Sequence, residues 1–192
     1  MLPTEPATPF HDPLESLQKL LSQFDYQGVI IGGIAVSLLG QARFTEDLDA
    51  LVLLSIEDIP DFLAAAHQVG IEPRIAQADE FARRNRVLLL RHAASQTNID
   101  ISLGILPFEE EMVARSQVHE IDDALKIHLP TPEDLIIMKA IAHRPKDLLD
   151  IQGIIRSHPQ LDRERIEAWV VQFADLLEKP ELWDDIADWL QL

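Results

Sequence analysis

Three acidic residues have the spacing of a metal-dependent phosphoryl-transfer site. Asp47 and Asp49 lie in the run Thr-Glu-Asp-Leu-Asp, and Asp100 lies in the run Asn-Ile-Asp-Ile-Ser. Alternate residues of a strand point to the same face, so we expect Asp47 and Asp49 to project together, with Asp100 beside them on a neighbouring strand. Clustered carboxylates repel each other unless a cation neutralises them. Carboxylate oxygens and substrate phosphates are the usual ligands of Mg²⁺, so the pattern predicts a Mg²⁺ site.

A glycine pair upstream of these acids predicts a phosphate-binding turn. A buried-strand pattern over residues 27–32 runs into Gly32-Gly33, and residues 34–39 read as a short helix. Glycine lets a ligand approach the backbone closely, and the free N–H groups of a helix N-terminus attract anions. The segment has neither the Gly-Lys-Ser/Thr of a Walker loop nor a Gly-x-Gly-x-x-Gly fingerprint.

The order and spacing of these glycines and acids, and of the polar residues between them, resemble those of a known family. The residues that carry the resemblance are Gly32, Gly33, Gly40, Arg43, Thr45, Asp47, Asp49 and Asp100. They resemble the polymerase-β-like nucleotidyltransferase superfamily, in particular its bacterial minimal and abortive-infection (toxin-type) branches, over residues 27–104. A helical Lys139 followed by the run 144–150 (Arg-Pro-Lys-Asp-Leu-Leu-Asp) is similar to a second segment of that branch. Many relatives have Gly-Ser where this chain has Gly32-Gly33, so backbone amides would have to replace the missing hydroxyl.

The resemblance implies an activity, cofactors and site residues. It implies transfer of a nucleoside monophosphate from an NTP to an acceptor hydroxyl, with two Mg²⁺ (or Mn²⁺) ions at the catalytic acids Asp47, Asp49 and Asp100. The nucleotide-binding residues that it implies are Gly32, Gly33, Arg43, Thr45 and Lys139. It also implies a role as a toxin with an antitoxin or helical partner protein.

Several of these residues have simpler interpretations from the sequence. Arg43 could pair with a local acid, and Thr45 could fix a turn through the backbone. A lone lysine such as Lys139 on a helix is usually solvated, and we expect Asp147 and Asp150 to be helix-start and surface residues.

Composition limits the classes of protein and partner. The chain has 192 residues, 47% hydrophobic content, no cysteine and a formal net charge of −17. We therefore expect a folded cytoplasmic protein without disulfides, signal peptide or membrane span. A strongly acidic protein is a poor ligand for extended nucleic acid, unless a local basic patch serves. The candidates for such a patch are Arg83, Arg84, Arg86, Arg91, Lys139, Arg144 and Lys146.

Hydrophobic patterns predict an α/β (α+β) fold. We expect a small mixed sheet flanked by helices in residues 1–129, of which 1–11 form a flexible tail, and a helical region over 130–192. Strands are predicted at 27–32, 48–54, 87–90 and 99–103, the last two joined by a turn. Helices are predicted at 14–24, 34–39, 59–69, 132–143, 145–157, 162–177 and 181–191.

Two non-catalytic alternatives are compatible with the same residues. The pocket could hold a nucleotide as a regulatory ligand, although a pure binder has no need of three clustered carboxylates. An acidic partner protein that mimics nucleic acid is the second. The acceptor cannot be identified from the sequence: a small molecule such as an aminoglycoside, a protein hydroxyl and a tRNA end all fit.

Overall fold

The computed structural model describes residues 10–190, which form two compact units. The first unit contains the chain up to Gly32 and residues Thr45–Leu129, and the second contains Gly33–Phe44 and the chain from Pro130 onward. The predicted tail lies outside the described residues except for its last two, and His11 already begins the first helix.

The first unit is built on a five-stranded mixed sheet with the order β1-β2-β5-β4-β3. Its strands are β1 (Gly28–Ile31), β2 (Asp47–Val52), β3 (Ile71–Pro73), β4 (Val87–His92) and β5 (Asn98–Leu103). β2 and β5 run parallel, and the other neighbours are antiparallel. A two-stranded antiparallel sheet pairs β6 (Gln117–Glu120) with β7 (Lys126–Leu129). The mixed α/β fold predicted from the sequence is therefore confirmed.

Four helices accompany these strands in the described part of the first unit. They are α1 (His11–Leu21), α3 (Ile59–Gln68), α4 (Ala78–Asn85) and α5 (Pro107–Ala114). α1 buries Leu14, Leu17, Leu20 and Leu21, whose spacing places them on one helical face, and a 3-10 turn over Ser22–Phe24 follows. β6, β7, α4, α5 and β3 were not predicted.

The described part of the second unit is helical. It contains most of α2 (Gly32–Leu39), together with α6 (Pro132–Ala142), α7 (Pro145–Ser157), α8 (Arg163–Leu177), α9 (Glu181–Ala187) and a 3-10 turn over Asp188–Leu190. The Thr131 side chain caps α6 by accepting a hydrogen bond of 3.2 Å from the Asp134 amide. Pro145 occupies the first turn of α7, where a missing N–H costs nothing. The helices predicted after residue 131 agree with these elements, although the predicted end at residue 191 lies outside the described residues.

None of the helices that the structure describes is both long and apolar enough to cross a bilayer.

Candidate active site

One face of the five-stranded sheet collects the predicted acids. Along β2, Asp47 and Asp49 are half-buried, whereas Leu48 and Ala50 between and beyond them are fully buried. The alternation therefore puts both carboxylates on the same face, as predicted. In the second half of β2, Ala50, Leu51 and Val52 are all buried, so the strand is covered on both faces there.

The register brings the third acid beside them. β2 and β5 pair in parallel with Asp49 opposite Asp100 and Asp47 opposite Asn98. Adjacent strands lie about 4.8 Å apart, so residues in register on the same face are side-by-side neighbours. Asn98 Nδ2 donates a hydrogen bond of 3.1 Å to Asp47 Oδ1, which fixes that carboxylate at the start of the strand. The sequence prediction that Asp100 would join the first two acids from a neighbouring strand is thus realised in the fold.

Asp100 has a cationic partner that sequence reasoning missed. Arg74 follows β3, and its amide donates a 2.9 Å hydrogen bond to the carbonyl of Leu89, the residue that faces Asp100 across β4 and β5. The Arg74 guanidinium donates through Nη2 to Asp100 Oδ1. No local sequence pattern predicts the Arg74–Asp100 pair, because it depends on the register of three strands.

Burial and the charge of Arg74 have opposite effects on the pKa of Asp100. Burial raises the pKa of its carboxyl, the nearby Arg74 lowers it, and the negative charge of Asp47 raises it again, so the pKa lies above the ordinary value. Burial is thus the main cause of the raised pKa of Asp100, and the charge of the neighbouring Asp47 adds to it.

The glycine turn meets the acids at Gly32. β1 ends at Ile31, and α2 begins at Gly32, which has a left-handed φ of +65°. A Cβ atom built on Gly32 would lie 1.9 Å from Asp49 Oδ2, so this carboxylate lies directly against the glycine backbone. Gly33 is buried in the first turn of α2. The position that excludes a side chain by conformation and contact is thus Gly32.

Thr45 bonds the backbone in the structure. Its Oγ1 donates a 3.2 Å hydrogen bond to the carbonyl of Asp47, which matches the turn-fixing interpretation of this residue. A nucleotide contact of Thr45 stays a prediction.

Arg43 and Lys139 belong to a buried ionic network in the second unit. Arg43 forms a two-pronged pair with Asp150, with Nε–Oδ1 and Nη2–Oδ2 distances of 3.0 and 3.2 Å. Lys139 Nζ lies 2.9 Å from an oxygen of Asp147 and 2.9 Å from an oxygen of Asp150. Arg144 completes the network by donating to Asp147 from its side chain and its amide.

The network corrects two expectations. The Asp147 and Asp150 side chains are 0% and 5% exposed, so the prediction that they are surface residues is wrong, although Asp147 does lie in the first turn of α7. Lys139, at 6% exposure, is equally far from a solvated lysine. Burial raises the pKa of Asp147, but hydrogen bonds from Arg144 and Lys139 outweigh it and hold the pKa below its usual value. The carboxylates of Asp147 and Asp150 are the ion-pair partners that compensate the buried ammonium group.

The arginines considered for a basic patch have partners. Arg83, Arg84 and Arg91 pair with Asp79, Glu80 and Glu72, while Arg86 donates to the carbonyls of Leu103 and Gly104. Paired guanidiniums contribute little net positive field, so these residues do not form an uncompensated surface for a polyanion.

The donor set of the sheet face suits a hard cation. Asp47 and Asp49 offer carboxylate oxygens from one face of one strand, which is the chemistry that Mg²⁺ prefers. Across residues 10–190, however, no three His, Asp or Glu side chains stand close enough to form a ready metal cluster. Asp100 is turned toward Arg74, so the residues fit an ion held at Asp47 and Asp49 better than an ion shared by all three acids.

Comparison with known structures supports the fold. A nucleotidyltransferase-like antigenic protein from Paracoccidioides brasiliensis has a TM-score of 0.55 at 17% identity, covering 94% of this chain and 91% of the other. The antibiotic-resistance factor ANT(2″)-Ia, solved in complex with adenylyl-2″-tobramycin, has a TM-score of 0.54 at 15% identity, covering 86% of this chain and 98% of the other. A nucleotidyltransferase structure from H. pylori has a TM-score of 0.50 at 18% identity, covering 96% of this chain and 82% of the other.

Sequence comparison gives the family. A search of the curated proteins found no match. The model of the family described as nucleotidyltransferase of unknown function, DUF6036, matches residues 10–180. This range contains every predicted site residue, and the resemblance to polymerase-β-like nucleotidyltransferases is confirmed. The chain therefore belongs to the DUF6036 nucleotidyltransferase family.

Proposed function

We propose that this protein transfers a nucleoside monophosphate from an NTP to an acceptor hydroxyl, with release of pyrophosphate, in a reaction that depends on Mg²⁺ or Mn²⁺. The observation that carries the proposal is the parallel register that sets Asp49 beside Asp100, with Asp47 two residues earlier on the same face. Family membership supports the reaction class.

Each acid has a proposed role. Asp47 and Asp49 hold the divalent cation, which when bound neutralises the triphosphate and aligns it for attack. Asp47 is oriented for this task by Asn98. Asp100 accepts the proton of the acceptor hydroxyl at the oxygen that Arg74 leaves open, Oδ2. A raised pKa suits a carboxylate for this proton transfer.

The backbone at the glycine pair is proposed to bind the triphosphate. Gly32 lies against Asp49, so an anion at the amides of Gly32 and Gly33 would sit next to a cation held by that carboxylate. Nucleotide contacts by Arg43, Thr45 and Lys139 remain part of the proposal. They require Arg43 and Lys139 to reach a phosphate while keeping or exchanging their carboxylate partners.

The acceptor and the biological role are proposed only by class. ANT(2″)-Ia is bound to an adenylylated aminoglycoside, which makes a small-molecule hydroxyl one candidate acceptor. A protein hydroxyl or a tRNA end are the others, and a toxin role with an antitoxin partner rests on the resemblance alone. The net charge of −17 makes extended nucleic acid the least suitable partner.

A transfer assay tests the proposal. The protein is incubated with each of the four α-labelled NTPs, Mg²⁺ and a panel of the three acceptor classes, and pyrophosphate and labelled acceptor are measured. Asp49→Asn should lower the rate roughly a thousand-fold, because it removes charge stabilisation at the reacting phosphate. Ser102→Ala is the matched control: it lies on the same face of β5, two residues beyond Asp100, and should leave the rate unchanged.

Two results would contradict the proposal. Transfer that survives Asp49→Asn would place the reaction elsewhere. Metal-dependent NTP binding without pyrophosphate release for any acceptor would favour the alternative of a regulatory nucleotide-binding protein on the same fold.

A further inference from the structure

Strands β4 and β5 leave one face of the sheet partly open next to Asp100. In both strands every second residue is buried on one face, and the residues between them, on the face of Asp100, are only half-buried. The half-buried residues include Leu89, Arg91 and Asn98. The proposed catalytic base therefore lies beside a surface that a ligand can reach from solvent.

The order of the strands determines on which side of Asp100 an acceptor binds. The sheet order is β1-β2-β5-β4-β3, with the glycine turn after β1, Asp49 on β2 and Asp100 on β5. In the proposed reaction the triphosphate therefore lies on the β1 and β2 side of Asp100. The attacking and leaving oxygens of a phosphoryl transfer are roughly in line, so the acceptor approaches from the opposite side. That side is formed by β4 and the residues next to β3.

Two arginines lie on the acceptor side of this face. Arg91 is on β4 opposite Asn98, and the Arg74 amide bonds the carbonyl of Leu89, which precedes Arg91 by two residues on the same strand. The two arginines are therefore diagonal neighbours across β3 and β4. The Cα atoms of such neighbours are about 7–8 Å apart, which is within the reach of two long side chains that hold one ligand group.

Both guanidinium groups have unused hydrogen-bond donors. Arg74 donates to Asp100, and Arg91 donates to Glu72 at 2.8 Å. The Nε atoms of both arginines are buried and have no hydrogen-bond partner among the described residues. An ordered water or a bound ligand is the usual explanation for such a donor. The two side chains are 26% and 36% exposed, so a ligand can contact them from solvent.

We propose that Arg74 and Arg91 bind an anionic group of the acceptor, which is a small molecule with a phosphate or carboxylate near the hydroxyl that is modified. This inference rests on the proposed function and narrows its acceptor class. Guanidinium groups pair with phosphate and carboxylate oxygens through two parallel hydrogen bonds. An ammonium group offers a guanidinium no hydrogen-bond acceptor and is repelled by it, so a polycationic aminoglycoside is a poor acceptor here. The net charge of −17 favours a small acceptor over extended nucleic acid.

The first test measures anion binding without turnover. The full chain, free of metal and nucleotide, is titrated with inorganic phosphate, and the arginine Nε–H signals are followed by NMR. Arg74→Lys and Arg91→Lys assign the two signals. We expect both signals to shift with one common dissociation constant, which rises at least about ten-fold in Arg91→Gln because a charge-assisted pair is lost.

Arg83 on α4 is the matched control, because it is also paired with a carboxylate, that of Asp79, but lies outside the sheet. Its signal should not move. The absence of any shift for Arg74 and Arg91, or an equal shift for Arg83, would overturn the proposal. Circular dichroism confirms folding of each variant.

The second test compares acceptors in the presence of NTPs and Mg²⁺. Ribose 5-phosphate, glucose 6-phosphate and glycerate are compared with ribose, glucose and tobramycin, and pyrophosphate release gives kcat and KM. We expect transfer to the anionic compounds. Arg91→Gln should raise their KM at least about ten-fold and leave the KM for NTP unchanged, whereas Arg83→Gln should change neither.

The two tests separate this inference from the proposed function. Transfer to tobramycin that Arg91→Gln does not affect would overturn the anionic acceptor and leave the transferase function intact. Phosphate binding at both arginines without pyrophosphate release for any acceptor would support the anion site and count against the transferase function.

Discussion

At the scale of residues, the contact between Gly32 and Asp49 is the tightest restraint on the site. Gly32 has a left-handed φ of +65°, and there is no space for a Cβ atom between it and the Asp49 carboxylate. A non-glycine residue in the left-handed region costs about 1–2 kcal/mol by itself. A side chain here must in addition displace the Asp49 carboxylate.

We predict that Gly32→Ala is destabilising and also weakens metal binding, because the new methyl group pushes Asp49 out of position. Gly70→Ala is the matched control: Gly70 has a φ of +77° but nothing within 4 Å of an added Cβ. Gly70→Ala should cost about 1 kcal/mol and leave Mn²⁺ affinity unchanged, whereas Gly32→Ala should cost more and lower that affinity at least about ten-fold. Urea unfolding and Mn²⁺ titration measure the two effects. Equal behaviour of both variants would mean that the contact with Asp49 is unimportant.

The acids of the site could be predicted because their signal is local. Asp47 and Asp49 share a face through the two-residue period of a strand, and Asp100 stands in an alternating apolar run. Arg74 and the buried partners of Lys139 could not be predicted in this way. Their positions depend on strand register and on helix packing between segments far apart in the chain.

At the scale of elements, the strands and helices with a clear local hydrophobic pattern were predicted from the sequence. The elements without such a pattern were missed. The strands β1, β2, β4 and β5 have buried apolar residues, and α6, α7 and α8 have clear helical spacing. β3 is three residues long, too short for a pattern, and β6 has no buried residue, so neither has the alternation that marks a strand. α4 buries two alanines, Ala78 and Ala82, which are weak hydrophobic markers.

α6 and α7 are joined by the ionic network, and this predicts a large stability effect. Lys139→Met should lower the free energy of unfolding by about 3 kcal/mol, because it leaves buried carboxylates without their shared ammonium group. Arg43 and Arg144 remain as partners and limit the loss. Urea unfolding gives the free energy.

The control for this prediction is Lys146→Met, because Lys146 is an exposed lysine in the first turn of α7. It should change stability by no more than about 0.5 kcal/mol. A loss for Lys139→Met as small as that for Lys146→Met would show that Asp147 and Asp150 do not need the buried lysine.

At the scale of the whole molecule, the chain enters the second unit twice. The segment Gly33–Phe44 belongs to the same compact unit as the helices that follow Pro130, although the sheet residues on either side of it in sequence belong to the first unit. His158 Nε2 lies 2.6 Å from the carbonyl of Leu39, and a Cβ atom built on Gly40 would lie 3.1 Å from Ile154 Cγ1. α2 therefore depends on α7 and the turn after it for its packing.

We predict that a fragment of residues 1–129 does not fold as an independent domain. It contains α2, whose buried residues Ile34, Val36 and Leu39 would lose apolar partners and become exposed. The fragment should bind the dye ANS and unfold without cooperativity, and co-expression of 130–192 should restore a cooperative transition. A monomeric 1–129 fragment with a sharp transition and no dye binding would contradict this.

The double passage of the chain also has a consequence for synthesis on the ribosome. Leu39 and its partner His158 are 119 residues apart. At translation rates of about 5–20 residues per second, α2 emerges roughly 6–24 s before the segment against which it packs. During this interval a short, almost entirely apolar helix has no partner of its own. Nascent chains of this protein should therefore be clients of ribosome-associated chaperones from the emergence of α2 until α7 is complete.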